Sequence, residues 1–87
     1  MVELNEGLFI VKTKGVVRGV ARIEGSRVRV SDIAVDYDYH GLSPEEIAEQ
    51  YPTISTSDVH AALSYYRKNP EKIREEIKER ENAFKER

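Results

Sequence analysis

Residues 41–67 read GLSPEEIAEQYPTISTSDVHAALSYYR and hold two helix starts built to one plan. Ser43 precedes Pro44, Glu45 and Glu46. Its hydroxyl can accept from the amide of Glu46, and the Glu46 carboxylate can reach back to the amide of Ser43, which is a capping box. Pro44 falls at the first helical position, where a missing N–H costs nothing. Leu42 and Ile47 have the spacing of a hydrophobic staple across that cap. The plan repeats at Ser55 and Asp58, with Ile54 and Val59 as the staple. Pro52 disfavours helical geometry at Tyr51, so the first helix should stop there. A short helix, a tight turn and a longer helix make a helix-turn-helix candidate.

The rest of the chain sets limits on what this pair can belong to. With 87 residues there is room for one domain and one modest core. There is no cysteine, which excludes disulfides and thiolate metal sites. No apolar run approaches the ~20 residues of a membrane span. The N-terminal MVELNEGLFIVK lacks the basic-then-apolar layout of a signal peptide, so a cytoplasmic location is expected. The net charge of -2 is unevenly spread: residues 1–30 carry six basic groups against three acidic, and residues 31–69 carry two against seven. An anionic partner is therefore expected to meet the N-terminal third.

Leu8 to Val11 is a short apolar run that reads as a strand. Residues 20–30 read as a β-hairpin: Arg27-Val28-Arg29-Val30 alternates with period two, and Glu24-Gly25 supplies the turn. A lone hairpin is marginal in water, so Leu8–Lys12 should pair with it or with a second copy. Ser31-Asp32 reads as the start of a helix running to Gly41, with Val30, Ile33, Ala34 and Tyr37 on the inner face and Asp32 and Asp36 toward the other side. Further helices are expected at 43–51 and 55–68, the latter burying Val59, Ala62, Leu63 and Tyr66. Of Tyr65 and Tyr66, one is expected inside and Tyr65 at a rim or dimer contact. Asn69 is read as the N-cap, and Pro70 as the first residue, of a charged helix over 70–87. Lys72–Glu76, Glu76–Arg80 and Glu81–Lys85 are favourable i,i+4 pairs. Its apolar stripe (Ile73, Ile77, Phe84) is broken at Arg80 and Glu81, which suits a helix that docks into a partner's groove. The expected architecture is α+β and mainly α. It comprises an N-terminal β arm over 1–30, a homeodomain-like or winged-helix-like three-helix core over 31–68, and a helical tail over 69–87.

Two runs resemble a known family. Gly19-Val-Ala-Arg-Ile-Glu-Gly-Ser-Arg-Val28, followed by Val30, resembles the pattern G-x-P-x-I-x-G-T-R-I-x-V. Gly41-Leu-Ser-Pro-Glu-Glu-Ile47, Tyr51-Pro52, Ile54, Val59, Ala61-Ala-Leu63 and Tyr65 resemble G-L-S-P-E-E-I…Y-P-x-L-x-x-x-x-I-x-A-A-L-x-Y. Both belong to the prokaryotic family known as domain of unknown function 433, and the likeness covers about residues 16–67. It departs at Ala21 where proline is usual, at Ser26 for threonine, and at Arg29 for the proline before the first helix. The resemblance implies a VapB-type antitoxin of a type II toxin–antitoxin pair that binds DNA and a PIN-like ribonuclease toxin.

Candidate sites follow from these elements. On the third helix Thr56, Ser57, His60, Ser64 and Arg67 form an outer side that could lie in a major groove of operator double-stranded DNA. Hydroxyls at a helix N-terminus suit phosphates. Against this, that side carries one arginine, and Glu45, Glu46, Glu49 and Asp58 repel phosphates. The basic arm residues Lys12, Lys14, Arg18, Arg22 and Arg29 can follow a phosphate backbone or protect a sheet edge. Arg27 is better suited to pairing with Asp32 or Asp58. Operators are usually two-fold, so a homodimer is expected. Toxin contact is assigned to Ile73, Ile77 and Phe84. In Asp36-x-Asp38-x-His40 a helix would place Asp36 and His40 together without Asp38, so no metal is expected. No nucleophile motif, phosphate loop or paired-carboxylate arrangement is present, so neither enzyme activity nor a cofactor is expected. A protein-interaction or dimerisation module without DNA binding is the alternative, favoured by the acidic middle segment.

Overall fold

The computed structural model describes residues 3–5, 10–13 and 20–85, with side chains described for 10–12 and 20–82. Three short strands precede four helices: β1 Glu3–Asn5, β2 Ile10–Thr13, β3 Arg22–Ile23, α1 Val30–Ala34, α2 Pro44–Gln50, α3 Thr56–Lys68 and α4 Pro70–Lys85. The sheet order is β1-β2-β3, antiparallel throughout. The expected pairing of the N-terminal run with the hairpin is present, Ile10 facing Ile23 and Val11 facing Arg22. The hairpin itself is narrower than its alternation implied. Its second arm joins β3 only through the Arg22–Arg29 bridge, flanked by Ile23 N–H to Val28 O (2.9 Å) and Val30 N–H to Ala21 O (3.0 Å). Gly25 takes φ +81° at the turn, which a side chain would strain.

The arm ends early because a helix begins at Val30, one residue before the expected start. Arg29 is the N-cap, and its amide donates to Asp32 Oδ2 at 2.9 Å. Ser31 is fully buried rather than capping. Beyond Ala34 the helix widens into a π-helical turn, Val35–Tyr39, closed by His40 N–H to Val35 O at 3.1 Å. Asp36, expected on the outer side, is buried and only 6 % exposed. Gly41 at φ +68° ends the segment, as the sequence suggested.

The α2 and α3 caps form as their sequences dictate. Ser43 Oγ accepts from Glu46 N–H (3.2 Å) and Glu46 Oε1 from Ser43 N–H (2.9 Å); Ser55 and Asp58 repeat both distances. Ile47, Ile54, Val59, Ala62 and Leu63 enter one core with Ile10, Ile23, Val30 and Ile33. Tyr65 and Tyr66 are both buried, so Tyr65 is not a rim residue. The chain turns straight back after them: Asn69 N–H donates to the carbonyls of Tyr65 and Tyr66, and Asn69 Nδ2 also bonds Tyr65 O. Asn69 thus caps the end of α3 with its side chain and accepts Ile73 N–H, the first α4 bond, with its carbonyl.

The reading of α4 as a tail is corrected. Ile73 is fully buried and Ile77 is 4 % exposed, both in the core cluster, and α4 packs on α1 and α3. Arg80, read as a break in the stripe, lies seven residues from Ile73 and so on the same face. Its guanidinium donates to Ser31 Oγ and Asp32 Oδ1, each at 3.1 Å. Among the described residues no helix is long and apolar enough to cross a membrane. Replacing Ile73 by Ala should lower stability by about 2–5 kcal/mol in urea denaturation. Lys78→Ala, at an exposed position of the same helix, should change it by less than about 0.5 kcal/mol. Equal effects would refute the core role of α4.

Candidate functional site

The outer side of α3 is left uncovered. Ser57, His60, Ser64 and Arg67 are exposed along it, and Thr56 is half-buried at its start. Asp58 is half-buried and turned onto the Ser55 amide, so its charge faces its own helix cap. Glu45, Glu46 and Glu49 of α2 are exposed. The Ser43 amide bond holds the Glu46 carboxyl below the usual carboxylate range. The N-terminal end of α3 therefore neighbours an acidic helix, and its C-terminal end carries Arg67 and Lys68.

The basic arm is not a free ladder of cations. Arg22 lies directly across from Val11 and is 7 % exposed, its stem on the same side of the sheet. Its Nη1 donates to Ser26 O (3.1 Å) and Ile23 O (3.4 Å). Arg29 grips Asp32 through Nε (3.2 Å) and Nη2 (3.1 Å). Both guanidiniums are engaged within the fold, that of Arg22 buried and that of Arg29 on a side chain 30 % exposed. Of the two acids expected for Arg27, Asp32 is taken by Arg29, which as N-cap stands three residues from it, and Asp58 accepts from the Ser55 amide; Arg27 is exposed. Lys12 is half-buried on β2 and engaged within the fold. Lys14 and Arg18 lie outside the described residues, as does the side chain of Phe84. Ile73 and Ile77 are core residues and present no surface to a toxin.

A site that sequence reading missed lies where the π-helical turn, the end of α3 and the start of α4 converge. A hollow of about 280 Å³ is lined by Tyr37, Asp38, Leu63, Tyr66, Arg67, Pro70 and Arg74. The Tyr66 hydroxyl donates to Asp38 Oδ2, and the Arg74 guanidinium sits 6.0 Å from the centre of the Tyr66 ring. Burial, then that bond to Asp38, raises the Tyr66 phenol above its ordinary range. Behind it, Tyr51 donates to Asp36 Oδ2 at 2.9 Å, and His40 Nδ1 lies 3.2 Å from Asp36 Oδ1. Burial and Asp36 push the Tyr51 phenol up as well. The Asp36–Asp38–His40 trio is thereby split: Asp36 and His40 meet, as helical spacing suggested, and Asp38 turns to Tyr66. Only the i,i+4 spacing of Leu63 and Arg67 on α3 hinted at this hollow, because the π turn has no sequence signature.

Two comparisons bear on this geometry. A family model described as "Protein of unknown function (DUF433)" matches residues 10–66. The crystal structure of a DUF433 member protein from Anabaena variabilis ATCC 29413 is similar, with 39 % sequence identity and a TM-score of 0.70. The likeness covers 79 % of this chain and 67 % of that one. No curated protein matches the sequence.

Glu76 supplies a titration test. Burial raises its carboxyl above the usual range, with Lys72 and Lys12 opposing. A raised acid pKa means the fold favours the protonated form. Its contribution is present below the unfolded-state value and is lost as pH rises through the folded one. Glu76→Gln should therefore gain stability relative to the unaltered chain between acid and neutral pH, measured by urea midpoints. A difference that is flat or falls with pH would contradict the burial.

Proposed function

The chain belongs to the DUF433 family, and on that premise we propose that it is the antitoxin of a type II toxin–antitoxin pair. It binds operator DNA as a helix-turn-helix homodimer and neutralises a PIN-like ribonuclease in the cytoplasm. The observation that carries the DNA half is the α2–turn–α3 pair. Both of its helix starts are capped, and Ser57, His60, Ser64 and Arg67 stand uncovered along the second helix. Side chains of this kind bond base edges and phosphates. The antitoxin half rests on the likeness of residues 19–30 and 41–65 to the motifs of this family, whose members resemble VapB-type antitoxins.

The exposed Glu45, Glu46 and Glu49 favour a second reading, an interaction module without DNA. Arg22 and Arg29 sharpen the contest, because both are engaged within the fold, whereas Arg27 is exposed. Among the described residues, the exposed cations around α3 are Arg67, Lys68 and Arg74.

Fluorescence anisotropy with the duplex upstream of the chain's own gene separates the two. DNA binding predicts an affinity selective over unrelated duplex that falls steeply with salt. Arg67→Ala should reduce the slope of log K against log salt by about 1, and His60→Ala should lose about 1–3 kcal/mol of selectivity. Absence of selective binding at low salt leaves the interaction module. Co-expression with the neighbouring PIN-like protein tests the antitoxin half: unrelieved toxicity without a complex would eliminate it.

A further inference from the structure

The burial of Ile73 and Ile77 takes two of the three residues that the sequence suggested for toxin contact, and the hollow above α3 and α4 is left without a role. We propose that this hollow, with Tyr39 beside it, is the docking surface for a protein segment that presents an apolar side chain next to a carboxylate. The inference rests on the antitoxin reading for the identity of the partner.

Four features of the hollow point to that occupant. Its lining is mixed: Leu63, Pro70 and the Tyr66 ring offer apolar surface beside the polar groups of Asp38, Arg67 and Arg74. Tyr39, the large apolar residue most open to solvent among those described, is 59 % exposed and lies within electrostatic reach of Arg74. Tyrosine and arginine around a small hollow of mixed polarity is the composition of interface anchor sites. Its charge is in excess on one side: Arg67 and Arg74 stand against Asp38 alone, and Asp38 already accepts the Tyr66 hydroxyl. A carboxylate on the incoming segment completes the pairing, and an arginine can grip it through two parallel bonds.

The hollow is also built in advance. Asp36 holds the π-helical turn to Tyr51 of the α2–α3 connection, and Asp38 holds it to α3. A wall fixed from both sides loses little freedom when a partner arrives. A nucleic-acid phosphate fits less well, because it would meet the Asp38 carboxylate and leave Leu63 and Pro70 without an apolar contact.

The test is calorimetric titration of the full chain with the PIN-like protein encoded beside its gene. Tyr39→Ala and Arg74→Glu should each weaken the complex by about tenfold or more. Arg74→Lys should retain part of the affinity, and Glu24→Lys at the distant hairpin turn should match the unaltered chain. Circular dichroism melts of all variants establish that the fold persists. A complex that forms with Tyr39→Ala and Arg74→Glu at unaltered affinity overturns this surface and leaves the antitoxin reading standing. No complex with the unaltered chain ends both. Arg74→Glu abolishing duplex-DNA affinity, with the toxin complex intact, makes the hollow a phosphate site and also overturns the proposal.

Discussion

One carboxylate ties together the parts of this fold that are distant in sequence. Asp32 accepts the Arg29 amide that starts α1, the Arg29 guanidinium at the end of the hairpin, and Arg80 from the last third of the chain. Its side chain is 17 % exposed, so these bonds act in a medium that screens them less than bulk water does. A carboxylate held there without its cations would carry a desolvation penalty. The arrangement therefore draws on all three segments at once. Arg80 meets Asp32 from α4, the helix that also puts Ile73 and Ile77 into the core.

The same constraint redistributes the charge that function can use. The sequence places its excess of cations in the first thirty residues, where a phosphate-binding arm would be expected. In the fold, Arg29 belongs to Asp32 and Arg22 to the carbonyls of the hairpin turn. The exposed cations around α3 are instead Arg67, Lys68 and Arg74. Its opposite end adjoins Glu45, Glu46 and Glu49, so potential changes sign along the helix. Such a gradient would orient a charged molecule before contact, acidic groups toward the C-terminal end of α3.

The π-helical turn is the other departure with functional weight. Within it Asp36 faces inward to Tyr51 and Asp38 reaches Tyr66. Burial and these acceptors in turn raise both phenols above their ordinary range.

What the sequence determined by itself is local. The caps at Ser43 and Ser55, the stop before Pro52, the glycines at positive φ and the inner face of α3 all depend on residues within four positions of one another, and each is legible from spacing. The tertiary structure decided whatever depends on partners far along the chain. Arg80 looks like a polar break in an apolar stripe until Ser31 and Asp32 lie opposite it. Arg22 looks like a phosphate ligand until the hairpin turn closes on its guanidinium. A charged helix with two isoleucines looks like a tail until α1 and α3 offer a surface for it. The physical reason is the same in each case: a side chain's local pattern states what it can bond, and burial by distant segments states what it does bond.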